Sequence, residues 1–164
     1  MSESDIEGGD SRARSNRADS SGEPLPVGPA LIRMGTILQS IYDARAREQG
    51  LTSQQARLLF VVVEKPDNML GLGSTVSLGR STMTSLVDRM EALGLLSRSP
   101  DPDDRRRLLV SPTERGIRIS RAFERGMRES ITALTDQLTQ AERDSLARLV
   151  SLLLVEGDAL LRSE

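Results

Sequence analysis

The chain has 164 residues, 22 basic and 24 acidic side chains (net charge −2), two Phe, one Tyr, and no Trp, Cys or His. Without cysteine or histidine it can build no disulfide frame, thiol redox switch, thiolate or imidazole metal site, or histidine-based catalytic triad. Its length suits one domain of ordinary size, and no run of about 18 apolar residues is present to span a membrane.

Met1 to Gly28 is rich in Ser, Gly, Asp, Glu and Arg and has no apolar period. It reads as a disordered arm, with Leu25-Pro26-Val27-Gly28-Pro29 as the junction to a single domain over 29–164. No basic-then-apolar leader opens the chain, so a cytoplasmic protein is expected. Charge is unevenly distributed. Residues 1–28 and 136–164 each carry six acids and three bases, net −3, which leaves 12 acids and 16 bases, net +4, for residues 29–135. Phosphate binding needs a local positive face and not a basic whole. Lys65 is the only lysine; either the forked recognition chemistry of arginine or genomic base composition accounts for that bias.

Pro29 to about Glu48 reads as a helix with Leu31, Met34, Leu38 and Ile41 as its apolar stripe and Gly50 beyond its end. Thr52-Ser53-Gln54-Gln55 has the form of a capping box and opens a helix expected to carry Ala56, Leu59, Phe60 and Val63 inward, with Pro66 closing it. In Asn68-Met69-Leu70-Gly71-Leu72-Gly73-Ser74-Thr75-Val76, two glycines each weaken a helix by about 1 kcal/mol relative to Ala. A short, distorted or mobile helix is expected there. A phosphate-cradling loop fails on spacing, because five residues separate Gly73 from Gly79 where four are needed and Arg80 stands in the place of the loop lysine.

Ser81 and Thr82 are N-cap types preceding Met83, Leu86, Val87, Met90 and Leu93, which share one helical face up to the stop at Gly94. Thr84, Ser85 and Arg89 point elsewhere. Small hydroxyl side chains let a helix settle into a major groove, and an arginine can fork onto guanine. Leu95–Ser99 and Arg107–Ser111 are strand-like runs joined by the turn residues Pro100 to Asp104. Arg105, Arg106 and Arg107 lie where this hairpin returns. From there they could enter an AT-rich minor groove, held by neighbouring aspartates. Helix, turn, helix and ribbon in this order make a winged helix-turn-helix lobe over 51–112. The flanking helices, 29–50 and 113–164, would dimerise it.

Thr113 would cap a helix reaching about Asp136, with Ile117, Ile119, Phe123, Met127, Ile131 and Leu134 as its main apolar residues. Thr139-Gln140-Ala141-Glu142 is a second capping box. The last helix runs through Leu146, Leu149, Val150, Leu153, Leu154 and Leu160. It is apolar on more than one face and needs neighbours all round, most simply from a second copy of the chain.

The segments Leu51-Thr52, Arg80-Ser81-Thr82-Met83-Thr84, Leu86 to Leu95, Asp101-Pro102-Asp103-Asp104-Arg105-Arg106 and Leu109 to Gly116 resemble the multiple-antibiotic-resistance regulator (MarR) family. The resemblance covers about Pro29 to Leu161, and the glycine-bearing segment 68–76 departs from the alanine-leucine pattern usual there. It implies a mostly α fold with a small β-hairpin wing, an obligate homodimer, and a regulator, most often a repressor, that binds pseudo-palindromic double-stranded DNA. Arg80, Ser81, Thr82, Thr84, Ser85 and Arg89 would enter or flank the major groove, and Arg105, Arg106 and Arg107 would serve the wing. Many members are released by small aromatic or phenolic ligands held between the reading lobe and the dimerising helices. On that geometry Met34, Tyr42, Phe60, Phe123 and Met127 are candidate contacts; the alternative is that they are ordinary core. No cofactor, metal, membrane partner or enzymatic activity is expected, since no nucleophile–base pair or metal cluster stands out. A winged-helix module that binds a protein in place of DNA is the rival reading, and the salt dependence of DNA binding separates the two.

Overall fold

The computed structural model describes residues 25–101 and 107–162 and divides the chain into two compact units, residues 1–37 and 38–164. Among the described residues the elements follow in the order α1 (Val27–Glu48), α2 (Ser53–Glu64), β1 (Asp67–Asn68), α3 (Met69–Val76), α4 (Arg80–Ala92), β2 (Leu96–Pro100), β3 (Leu108–Pro112), α5 (Glu114–Thr135) and α6 (Gln140–Arg162). Helix α1 begins at Val27, two residues ahead of the expected Pro29. Proline at the third position is harmless, because the first N–H groups of a helix have no partner inside it. In the first unit the described residues are 25–37, which include the opening turns of α1, and Leu31, Ile32 and Met34 are exposed. Residues 1–24, most of the expected arm, lie outside the described residues.

The second unit holds the buried core. Leu58, Leu59 and Val62 of α2, Leu72 of α3, Met83, Leu86, Val87 and Met90 of α4, and Val110 of β3 are all buried. Full burial of such a side chain contributes about 1.5–3 kcal/mol. The inward face of α2 differs from the periodicity estimate. Leu58 and Val62 are inside, Val63 is only half-buried, and Phe60 is 41 % exposed. Helix α2 packs on α3, α5 and β3, so neighbours on several sides shift and widen its buried face. Leu93 also departs from its assigned stripe, at 40 % exposed. It is the C-cap of α4, and Gly94 at φ 66° turns the chain away there. Gly94 N–H donates to the Glu91 carbonyl (2.8 Å) and Leu95 N–H to that of Met90 (2.9 Å), a Schellman closure that buries Leu95 in place of Leu93.

The capping boxes form as read. Thr52 accepts from Gln55 N–H while the Gln55 side chain accepts from Thr52 N–H. Thr139 and Glu142 make the same exchange at the start of α6, and donors from Thr139 hold the Glu142 carboxyl below its ordinary pKa. The glycine-bearing segment is neither broken nor irregular: α3 is an eight-residue α-helix. Asn68 caps it by accepting from Leu70 and Gly71 N–H, and burial of Leu72 and Val76 supplies what the glycines lack. Gly71 has a packing reason, since a Cβ there would stand 2.0 Å from the Asp67 carboxylate.

The wing is a three-stranded antiparallel sheet of order β1-β3-β2, one strand more than the expected ribbon. In β2–β3 the register pairs Leu96 with Pro112, Arg98 with Val110 and Pro100 with Leu108. The short β1 pairs Asp67 with Val110 and so ties the approach to α3 onto the wing. Helix α5 docks its first turn on this sheet, where Gly116 passes so close that a Cβ would lie 2.2 Å from the Leu95 carbonyl oxygen. Its far end is closed by Arg143, whose guanidinium donates to the Thr135 and Leu138 carbonyls.

Candidate nucleic-acid interface and effector cavity

Helix α4 buries Met83, Leu86, Val87 and Met90, and the opposite side is therefore fully presented. Arg80, Ser81, Thr82, Thr84, Ser85 and Arg89 are all exposed on it. Ser81 and Thr82 do not cap the helix, as their residue type suggested. The N-cap is Gly79, which offers no side-chain acceptor, and both residues lie inside the first turn. Their backbone N–H groups thus remain open at the positive end of the helix dipole, where an anion is favoured. Thr84 Oγ1 donates to the Arg80 carbonyl at 3.0 Å, which leaves the hydroxyl lone pairs to accept. Among the described residues neither Arg80 nor Arg89 makes an ion pair.

The same helix carries two acids, Asp88 and Glu91, that would repel phosphate. Both are engaged by Arg98 of β2. Its Nη1 stands 2.7 Å from Asp88 Oδ1 and also bonds Glu91 Oε2, and its N–H donates to Glu91 Oε1 at 2.9 Å. One arginine thus offsets the acids and fixes the angle between α4 and the wing. Periodicity gave no sign of this pairing, because it depends on a helix–strand contact; Arg98 read only as a strand residue. At the wing, Arg107 is exposed and shares with Arg80, Asn68, Leu70 and Ser74 a cleft of 570 Å³ between α3, α4 and β3. The fold therefore joins the first arginine of α4 to the last arginine of the wing. Arg105 and Arg106 lie outside the described residues.

A second site lies within the second unit, between the latter half of α1 and helices α2, α3 and α5. This cavity of 940 Å³ is lined by Tyr42, Phe60, Phe123 and Met127, together with Gln39, Ser53, Gln54, Arg57, Thr75, Glu124, Arg128 and Ile131 among others. Four of the five candidate ligand contacts converge there. The fifth, Met34, belongs to the first unit and is not among the lining residues. Phe123 serves both readings, because it is buried in the core and also forms part of the wall. The rings of Tyr42 and Phe123 meet edge to face, centroids 4.9 Å apart at 73°. Burial pushes the Tyr42 phenol above its ordinary pKa, opposed by the nearby Arg57 charge and reinforced by Asp43. Asp43 itself is held below the usual carboxylate range by donation from Ser53 and Gln39. Arg57 and Arg128 are exposed at the cavity and form no ion pair among the described residues. No helix among the described residues is long and apolar enough to cross a membrane.

The MarR family profile matches residues 49–107, which run from the turn before α2 to the return of the wing. The HTH-type transcriptional regulator YcgE of Bacillus subtilis is 28% identical over 119 residues, 72% of this chain and 77% of that protein. The homoprotocatechuate degradative operon repressor of Escherichia coli is 24% identical over 131 residues, covering 79% and 88% of the two chains. Among solved structures, RV1404 from Mycobacterium tuberculosis superposes with a TM-score of 0.72 at 27% identity, covering 80% of this chain and 92% of its own. The exposed polar face of α4, the three-stranded wing and these relatives agree with one another, and over residues 49–107 the chain is similar to the MarR family of winged-helix transcription regulators.

Proposed function

We propose that this chain acts as a homodimeric repressor that reads a pseudo-palindromic operator and is released by a small aromatic or phenolic effector. One observation carries the DNA-reading part. The outer face of α4 presents Arg80 and Arg89 without ion-pair partners among the described residues, while Arg98 offsets the acids of the same helix. Arg80, Ser81, Thr82, Thr84, Ser85 and Arg89 would face the major groove, and Arg107, with Arg105 and Arg106, would follow the backbone or minor groove.

Two further observations support the assembly and its release. Leu152, Leu153, Leu154 and Val155 of α6 are each about half to two-thirds exposed in the single chain. Apolar side chains exposed on more than one side of a helix suit a two-fold partner, and a dimer would set its two reading helices about 34–36 Å apart, one turn of duplex. The effector reading rests on the cavity, where aromatic walls meet arginines that form no ion pair among the described residues and Thr75 brings α3 to the lining. A ligand there would touch the helix that packs directly on α4.

The test is a titration of duplex DNA at several salt concentrations with the parent protein and Arg89→Ala. Affinity should fall steeply with salt. Arg89→Ala should weaken the preferred site by about 1–3 kcal/mol if it forks onto a base, or flatten the salt slope by about one unit if it holds phosphate. Binding indifferent to salt and to Arg89 would defeat the reading and favour a protein partner.

A further inference from the structure

We infer that Glu124 is the specificity-determining residue of the cavity, and that it selects aromatic ligands bearing a hydrogen-bond donor, a hydroxyl or an amino group, on the ring edge away from their anionic group. The inference rests on the effector reading above and adds to it a named residue and a chemical requirement. Glu124 lies on α5 one turn after Ser120, and it lines the cavity beside Phe123. Ser120 is 2 % exposed, a polar side chain inside the core, and its hydroxyl donates to Glu124 Oε1 at 3.2 Å. Four residues further along α5 stands Arg128, at the spacing of an ordinary helical ion pair. Even so, the two form no ion pair among the described residues. The buried hydroxyl occupies one carboxylate oxygen, and Oε2 has no partner among the described residues.

A carboxylate only accepts. A bound ring that covers Glu124 without donating to it strips water from an acceptor and returns nothing, a cost that exceeds the gain from a typical hydrogen bond. A ring with a donor on that edge restores the bond. The cations at the same cavity, Arg57 and Arg128, suit an anionic substituent, which the Glu124 charge repels. Attraction and repulsion together set the direction in which an aromatic acid enters. Its anion goes to the arginines and its donor to the glutamate.

Calorimetry on the full-length protein tests this with hydroxylated benzoates and naphthoates (meta- and para-type isomers) against the corresponding methyl compounds, which match the hydroxyl in size but donate nothing. Amino-substituted counterparts separate the two donor types. The parent protein should bind the best hydroxy or amino compound at least about tenfold more tightly than its methyl analogue. This is well short of the about 10⁴-fold selectivity of a fully buried reading site, since Glu124 is only half-buried. Glu124→Leu should abolish or invert that preference while the methyl compound binds as well or better, and Glu124→Ala repeats the test should leucine disturb the fold. Equal binding of donor and methyl compounds by the parent, or a preference that survives in both variants, would overturn the role of Glu124 and leave the effector reading standing. Absence of binding by every compound would overturn the effector reading itself, and this inference with it.

Discussion

Replacing Arg98 with Ala would uncover two carboxylates on the helix proposed to face DNA. The Arg98 side chain is 20% exposed, against 56% for Asp88 and 31% for Glu91. Exposed ion pairs contribute about 0–1 kcal/mol, and loss of one partner from a buried pair costs about 3–5 kcal/mol. A partly shielded arginine shared by two acids falls between these limits, so about 1–2 kcal/mol of stability should be lost. The effect on DNA follows from charge. The trio carries −1 with the arginine and −2 without it. One unit charge at about 10 Å from a phosphate in water is worth about 0.4 kcal/mol, and two or three phosphates bring the total to about 1 kcal/mol, or about fivefold in affinity. Fluorescence anisotropy with a mixed-sequence duplex at low salt would read this loss, and the gap to the parent should close as salt screens it. Adding Asp88→Asn and Glu91→Gln to Arg98→Ala removes the repulsion and should restore affinity to the parent level or above. Parent-like binding by Arg98→Ala at low salt would refute the electrostatic account; so would a triple variant as weak as the single one.

Gly116→Ala should destabilise the fold by about 1–3 kcal/mol, because its Cβ would lie 2.2 Å from the Leu95 carbonyl oxygen, backbone that cannot swing aside; a melting temperature equal to the parent's would show that the wing root yields freely. Leu153→Asp should shift the protein towards monomer in sedimentation experiments and weaken operator binding with the wing arginines intact, since it would bury a charge in the proposed dimer face. Were that variant to stay dimeric, α6 would not be the interface. Tyr42 is the only tyrosine, so its ultraviolet titration can be read directly. Burial raises the folded pKa above 10.0, hence its contribution to stability is complete below the unfolded value and is lost as pH rises through the folded one. A midpoint at or below that of a free phenol would contradict the placement of its ring.

Much of the architecture was legible from local chemistry. Thr52 with Gln55, Thr139 with Glu142 and Thr113 mark helix starts by side-chain bonds that span three residues or fewer, and Gly50 and Gly94 mark stops by a φ that other residues resist. The polar face of α4 also followed from its apolar period. Tertiary structure decided what depends on neighbours distant in sequence. Phe60 faces the cavity and Leu58 the core because α2 is packed on several sides, which a single-face period cannot register. The segment 69–76 is helical despite two glycines because Asn68 caps it and the core buries Leu72 and Val76. Arg98 reaches Asp88 and Glu91, and Arg80 and Arg107 come to line one cleft, only once strand and helix are folded side by side. Caps and periods act over one or two turns and are written in consecutive residues, whereas the pairing of charges and the walls of a cavity arise from contacts that chain order does not encode.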